Sequence, residues 1–189
     1  MIVFQVVFWV NVGLIIYTTV IYYLLLKIFK QNDYIKDETY SPGITLIISA
    51  YNEEKCIRLK LQNTLELNYP PEKVQIILAD DGSTDTTIEI ANEFEFVEIL
   101  KLSREGKTSA QNEAVKVARN EILVFSDANN IFNKDALKKL VRNFADDRVG
   151  VVCGELQYNH GYSEEIAYWR YEVAIKKAES KNGWLLGAN

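Results

Sequence analysis

The stretch VQIILADDGSTDTT, Val74 to Thr87, decides how the chain is read. Five of its first six residues are aliphatic or alanine, without the polar alternation of a half-exposed strand. Such a run suits a strand buried on both faces of a parallel sheet. It stops on two adjacent carboxylates, Asp80 and Asp81, followed by a glycine and a cluster of hydroxyl residues. A turn with a helix cap would use Ser83 or Thr84 as the cap and Asp85 in the first helical turn. That leaves two successive carboxylates at a strand end unexplained. In open parallel sheets, ligands sit beyond the C-terminal ends of the strands.

Working outward, the same alternation repeats. ITLIIS (44–49), FVEILKL (96–102), EILVFS (121–126) and VGVVCGELQY (149–158) read as further strands. Between them, EEKCIRLKLQNTLEL (53–67) carries Ile57, Leu59, Leu61 and Leu65 at helical spacing, and Thr84–Phe94 and Lys107–Ala118 are helical in composition. Asn133 is placed to cap a helix through Phe144, and Ser163 to cap a last one. The expectation is an α/β fold: a mostly parallel sheet of five strands flanked by helices. Its strand ends would gather SAYNEE (49–54), ADDGSTD (79–85), LSREGK (102–107) and FSDANN (125–130) on one rim. Three of these present carboxylates and one presents cations. A rim of both signs suits an anionic ligand held partly through a divalent cation.

Composition narrows the classes. The net charge of −5 provides no general attraction to nucleic acid. Two cysteines, Cys56 and Cys153, and one histidine make neither a disulfide framework nor an ordinary structural zinc site. From Met1 to Leu26 there is no charged side chain. As a helix, residues 3–26 would span about 36 Å, enough for a hydrocarbon layer of about 30 Å with some tilt. Lys27 and Lys30 follow, and no Lys or Arg precedes. The positive-inside rule then places the C-terminal side in the cytoplasm. A signal peptide would need a basic start and a small-residue cleavage site. The expected organisation is a membrane anchor over 1–30, a linker over 31–43 and a soluble α/β part over 44–189.

Several activities lack their signatures. No G-x-G-x-x-G follows the first strand. GKT at 106–108 lacks the P-loop's leading glycine, since Lys101 stands there. A nucleophile elbow is missing, and His160 reads as a turn residue.

Together the four rim motifs, ISAYNEE, ADDGSTDTT, REGKTSAQNEA and FSDANN with DALKKLV, resemble glycosyltransferase family 2, over residues 44–189. The nearest subgroup is the membrane-anchored members that make polysaccharides. The resemblance implies a GT-A (Rossmann-like) fold and an inverting glycosyltransferase. Its donor would be a nucleotide-sugar, expected to be a UDP-sugar, and its acceptor a glycan or a lipid-linked group at the cell membrane. It implies that Tyr51 lies against the base and Glu53 near the ribose, and that Asp81 or Asp80 accepts from the base edge. Arg104 and Lys107 would hold the diphosphate: a guanidinium fork and a point charge at a helix start, where an anion offsets the unfavourable dipole. Asp127, with Asn129 in place of a commoner second aspartate, would ligate Mg2+ or Mn2+. A neutral amide at Asn129 makes a weak metal site unless nucleotide phosphates share it. The resemblance places the catalytic base beyond Asn189, so 44–189 would be the nucleotide-sugar-binding half of a GT-A transferase domain, and a donor-binding or scaffold chain without transfer activity is the alternative expectation.

Overall fold

The computed structural model describes residues 1–29, 32–155 and 163–183, with side chains described in the last segment from Trp169 onward. Lys30, His160, residues 156–158 of the expected fifth strand and the side chain of Ser163 lie outside the described residues. The chain divides into two compact units, Met1–Ile35 with Arg148–Asn189, and Lys36–Asp147.

In the first unit, α1 (Ile2–Ile16), a π-helical turn (Tyr17–Ile21) and α2 (Tyr22–Ile28) form one continuous helix. By length and composition it is able to cross a membrane. Its few polar side chains turn back onto the helix's own carbonyls: the Asn11 amide donates to Val7 (2.8 Å), and the Thr18 and Thr19 hydroxyls to Leu14 (3.0 Å) and Ile15 (2.7 Å). That is how a polar group is tolerated where no water is available. Helix α7 (Ser163–Lys181) packs on α2. The Tyr22 hydroxyl donates to the buried Glu179 carboxylate (2.6 Å), and the Asn182 amide to the Leu26 carbonyl (2.9 Å).

The second unit is built on four parallel strands: β1 (Ile44–Ala50), β2 (Val74–Asp80), β3 (Val97–Lys101) and β4 (Ile122–Asp127). Their order is β3-β2-β1-β4. Helices α3 (Ile57–Leu65), α4 (Thr87–Ala91) and α5 (Lys107–Val117) are the crossovers, and α6 (Ala136–Val141) follows β4. The chain adds strands on one side of β1, then returns to place β4 on the other. The loops leaving β1 and β4 therefore flank the switch in strand order, where such sheets bind ligands.

Aliphatic residues on both faces of the sheet explain the continuous apolar runs. Leu46, Ile48, Ile76 and Leu78 pack with Ile57 and Leu61 of α3, while Ile47, Ile77 and Ala79 pack with Ala110 and Ala114 of α5. Register levels the rim: Ala50 is opposite Asp80, and Ser49 opposite Asp127.

Several expectations are corrected. The fifth strand does not form in its described part, and residues 151–155 are irregular. Its apolar run is interrupted by Gly150 and Gly154, and Val151 is exposed. Helix α3 begins later than expected, because residues 53–56 form a turn in which the Glu53 carbonyl accepts from the N–H groups of Cys56 and Ile57. Its buried stripe is Ile57, Lys60, Leu61 and Thr64, while Leu59 and Leu65 face outward. Helix α4 is shorter because the hydroxyl cluster before it is used in loop bracing. Asn133 is not the cap of α6: Asp135 holds that position, and the Asn133 side chain accepts from the Asp135 N–H (3.2 Å).

Candidate functional site

Every expected site residue lies in the Lys36–Asp147 unit, at the C-terminal ends of its strands or on the segments that leave them. The structure divides them into two groups.

The first group surrounds Tyr51 and the double aspartate. Asp80, 1% exposed, uses both carboxylate oxygens on one neighbour, accepting from the Ser83 N–H (3.0 Å) and the Ser83 hydroxyl. It holds the turn. Asp81, also buried, accepts from the N–H groups of Glu105 and Gly106 (both 2.9 Å) and pairs with the Arg104 guanidinium. Burial opposes its ionisation, but these donors outweigh burial and hold its carboxyl below the usual range. Arg104 also lies over the Tyr51 ring, 3.3 Å from its centre. Two glycines permit this approach. At Gly82 (φ +75°) a Cβ would crowd the Arg104 main-chain nitrogen at 3.1 Å, and Gly106 takes φ +101°.

The hydroxyl cluster has a second task that the sequence did not reveal: it stitches the β1 loop to the β2 loop. The Asn52 N–H donates to the Ser83 hydroxyl (2.9 Å), and the Thr84 N–H to the Asn52 side-chain oxygen (2.8 Å). The Glu53 N–H donates to the Thr87 hydroxyl (2.8 Å), and the Glu54 N–H to Asp85 (3.2 Å). Asn52 has a left-handed backbone (φ +54°), which an asparagine tolerates better than most residues. For Asp85, burial pushes the carboxyl up, but the Thr87 hydroxyl and N–H and the Glu54 N–H bring it below its ordinary value. The Glu53 carboxylate turns back to accept from the Cys56 thiol (2.9 Å). Burial, followed by that carboxylate, pushes the thiol up to about 11.

The second group surrounds Asp127. Its carboxylate is 44% exposed and pairs with Lys107, the first residue of α5. Asn129 is exposed on the same turn. Arg104 and Lys107, expected side by side on a diphosphate, are thus paired with different carboxylates. Among the described residues, no three His, Cys, Asp or Glu side chains gather to hold a metal. One carboxylate and one amide oxygen suit a hard cation that takes its remaining oxygens from phosphate and water. The carboxylate already carries a positive partner in Lys107. The donor set therefore fits Mg2+ or Mn2+ as a site shared with a ligand.

Beneath this turn lies a residue that sequence reading missed. Lys60 of α3 is wholly buried. Its ammonium donates to the Ser126 hydroxyl (2.6 Å) and the Asn130 carbonyl (2.7 Å) and lies 3.9 Å from the centre of the Phe132 ring. Burial lowers it to about 8, against the opposing pull of Asp127. The available signal was a lysine at the i+3 position of the helix stripe begun by Ile57.

Glu155, in the run expected to form a fifth strand, belongs to the other unit and pairs there with Lys177 (3.0 Å).

Comparison with known proteins gives the family and the fold. The family model described as Glycosyl transferase family 2 matches residues 45–184. A poly-beta-1,6-N-acetyl-D-glucosamine synthase of Staphylococcus aureus is 32% identical over 153 residues, 75% of this chain and 36% of that protein. The synthase of the same name from Staphylococcus epidermidis is 29% identical over 194 residues, 96% of this chain and 45% of that protein. Among solved structures, a mannosyltransferase from Pyrobaculum calidifontis, in complex with GDP-Man and Mn2+, is similar with a TM-score of 0.74. It is 29% identical and covers 86% of this chain and 47% of that one. The chain spans less than half the length of each of these relatives. The GT-A fold implied by the rim motifs is the fold found. With its family model matched over most of its length, the chain belongs to glycosyltransferase family 2.

Proposed function

We propose that this chain binds a nucleotide-sugar on the rim of its parallel sheet and serves an inverting glycosyltransferase of polysaccharide or cell-envelope glycan synthesis. The observation that carries this reading is the convergence of Tyr51, Asp81 and Arg104 in one cluster and of Lys107, Asp127 and Asn129 in another, all at strand ends of one sheet. The nucleoside side is the first cluster. Asp81, rather than the internally satisfied Asp80, meets the base edge, with Arg104 moving between Asp81 and the ligand while Tyr51 supplies a stacking face. This assigns Arg104 to the nucleoside side and leaves Lys107 as the diphosphate cation. Glu53 lies on the ribose side of the same loop.

Asp127 and Asn129 would hold Mg2+ or Mn2+, which supplies charge neutralisation on the diphosphate when bound. Lys107, at the start of α5, stabilises the negative charge that builds on the leaving phosphate as the anomeric bond breaks with oxocarbenium character. Inversion requires an acceptor hydroxyl to attack from the opposite face and a carboxylate to take its proton. None of the described rim carboxylates is assigned that role. A UDP-sugar is the donor favoured by the family resemblance. The bound GDP-Man of the mannosyltransferase makes guanine the alternative base to test. The helix Ile2–Ile28 anchors the protein in the cell membrane, with the transferase unit on the cytoplasmic side, where Lys27 lies.

The test is release of nucleoside diphosphate from a panel of UDP- and GDP-sugars by the chain in detergent, with glycan and lipid-phosphate acceptors. Acceptor-dependent release from a UDP-sugar is expected. Binding without release would support a donor-binding chain that does not itself transfer sugar, and neither binding nor release would contradict the proposal.

A further inference from the structure

Lys60 contributes to none of the chemistry above, yet its position is costly. A buried ammonium gives up its hydration, and its two hydrogen-bond partners are neutral oxygens. A long apolar side chain of similar volume would fill the same stripe, and replacing a buried charge in this way is often neutral or stabilising. Core packing therefore does not account for a lysine here.

Its partners do. Ser126 and Asn130 stand immediately before and after Asp127-Ala128-Asn129. The Ser126 hydroxyl that accepts from Lys60 also donates to the Asp127 carbonyl (3.1 Å). Three residues along the same helix, the Asn63 amide donates to the Phe132 carbonyl (2.9 Å) and accepts from the Phe132 N–H (2.8 Å). Helix α3 thus grips residues 126–132 at both ends. The same helix starts from the Tyr51 loop, whose Glu53 carbonyl accepts from the N–H of Ile57, its first residue. One short helix joins the two clusters.

We infer that Lys60 is a positioning residue: its buried ammonium, with Asn63 beside it, fixes the Asp127–Asn129 turn so that the carboxylate and amide oxygens meet a divalent cation in register with the nucleotide. The inference rests on the nucleotide-and-metal reading above. Residues that orient metal ligands from behind typically alter metal affinity by about 10–100-fold when replaced.

The experiment is calorimetric titration of the full chain and of Lys60→Met with UDP, without and with Mn2+, together with Mn2+ binding followed by electron paramagnetic resonance. Metal-free UDP affinity is expected to stay at the parent value, because Tyr51 and Asp81 are untouched. The Mn2+ concentration for half-maximal enhancement should rise about tenfold or more. A purely structural role would shift both affinities together, and a purely electrostatic one would tighten Mn2+ by removing a positive charge. Either result overturns the inference. Asn63→Ala, which leaves the buried charge in place, is the second variant and should weaken Mn2+ dependence in the same direction. An Asn63→Ala chain that keeps its circular dichroism spectrum and the parent's Mn2+ response contradicts the shared clamp even if Lys60→Met does not fold. A parent chain that binds no nucleotide ends the underlying reading. A parent that responds to Mn2+ alongside an identical Lys60→Met ends the Lys60 role alone.

Discussion

Asp81 and Asp127 both sit at strand ends on one rim, yet the side chain of the first is 4% exposed and that of the second 44%. Around Asp81, main-chain N–H groups and the stitching through Asn52, Ser83 and Thr87 are in place, and the exposed Arg104 guanidinium is the part left to rearrange. Asp127 has one cation in front of it, and the main chain of its turn is held from behind by α3. The two sides differ in what ligand binding must supply. The nucleoside side is largely formed before the ligand arrives, and the diphosphate side is completed by oxygens that the ligand brings. This is the division expected where a protein contributes only one carboxylate to a hard cation.

The comparison can be broken in order of expected effect. Asp81→Ala removes the acceptor that organises Arg104, Glu105 and Gly106. UDP affinity should fall at least about 30-fold with or without metal, as when one partner of a buried charged pair is truncated. Calorimetry checks this, and an unchanged affinity would remove Asp81 from the site. Asp127→Ala should abolish the gain in UDP affinity on adding Mn2+ while leaving metal-free binding near the parent value, which the same titration measures. Asn52→Ala loses both the residue suited to φ +54° and the bond from Thr84, and should lower stability by about 1–3 kcal/mol in chemical denaturation. Asn52→Gly should cost less.

The pH dependence separates the two sides again. Asp81 and Asp85 have carboxyls held below their ordinary 3.8. The stability they contribute is present above that value and lost as pH falls through and below it. Lys60 works in the opposite range. Its folded value of about 8 lies below the ordinary 10.5, so the unfolded chain binds more protons between them, and stability rises with pH from about 8. The rise is limited to about 1.4 kcal/mol per pH unit and is opposed above pH 9 by Cys56, whose thiol is raised from 9.0 to about 11. Denaturation midpoints between pH 8 and 9 should therefore increase in the parent and stay flat in Lys60→Met. The smallest effect expected is from Asn129→Asp, which adds a second charged oxygen and should tighten Mn2+ a few-fold, read by the same resonance titration.

How much of this was legible in the sequence differs between the same two regions. The four strands and the rim were readable because a parallel sheet covered on both faces leaves uninterrupted apolar runs that end abruptly. Asp80 and Asp81 stood out as a pair, but which one holds the turn depends on where Ser83 comes to lie, and adjacency in sequence does not show that. The stitching by Asn52, Ser83 and Thr87 was hidden because such residues also make ordinary turns and caps. Lys60 was hidden for the opposite reason: a lysine in an amphipathic helix is normally read as solvent-facing, and only the packing of α3 on the sheet turns it inward, where Ser126 comes within reach. The fifth strand was overread in its described part because VGVVCGELQY has β-forming residues, but two glycines interrupt its short apolar run. Element ends were missed wherever side chains bonded to the main chain instead of capping a helix.

The most direct test is a calorimetric titration of the full chain with UDP, first without metal and then with saturating Mn2+. A rim that is preformed on its nucleoside side and completed by the ligand on its diphosphate side predicts measurable binding without metal and clearly tighter binding with it. Absence of heat in both titrations, or an affinity indifferent to Mn2+, would contradict that account.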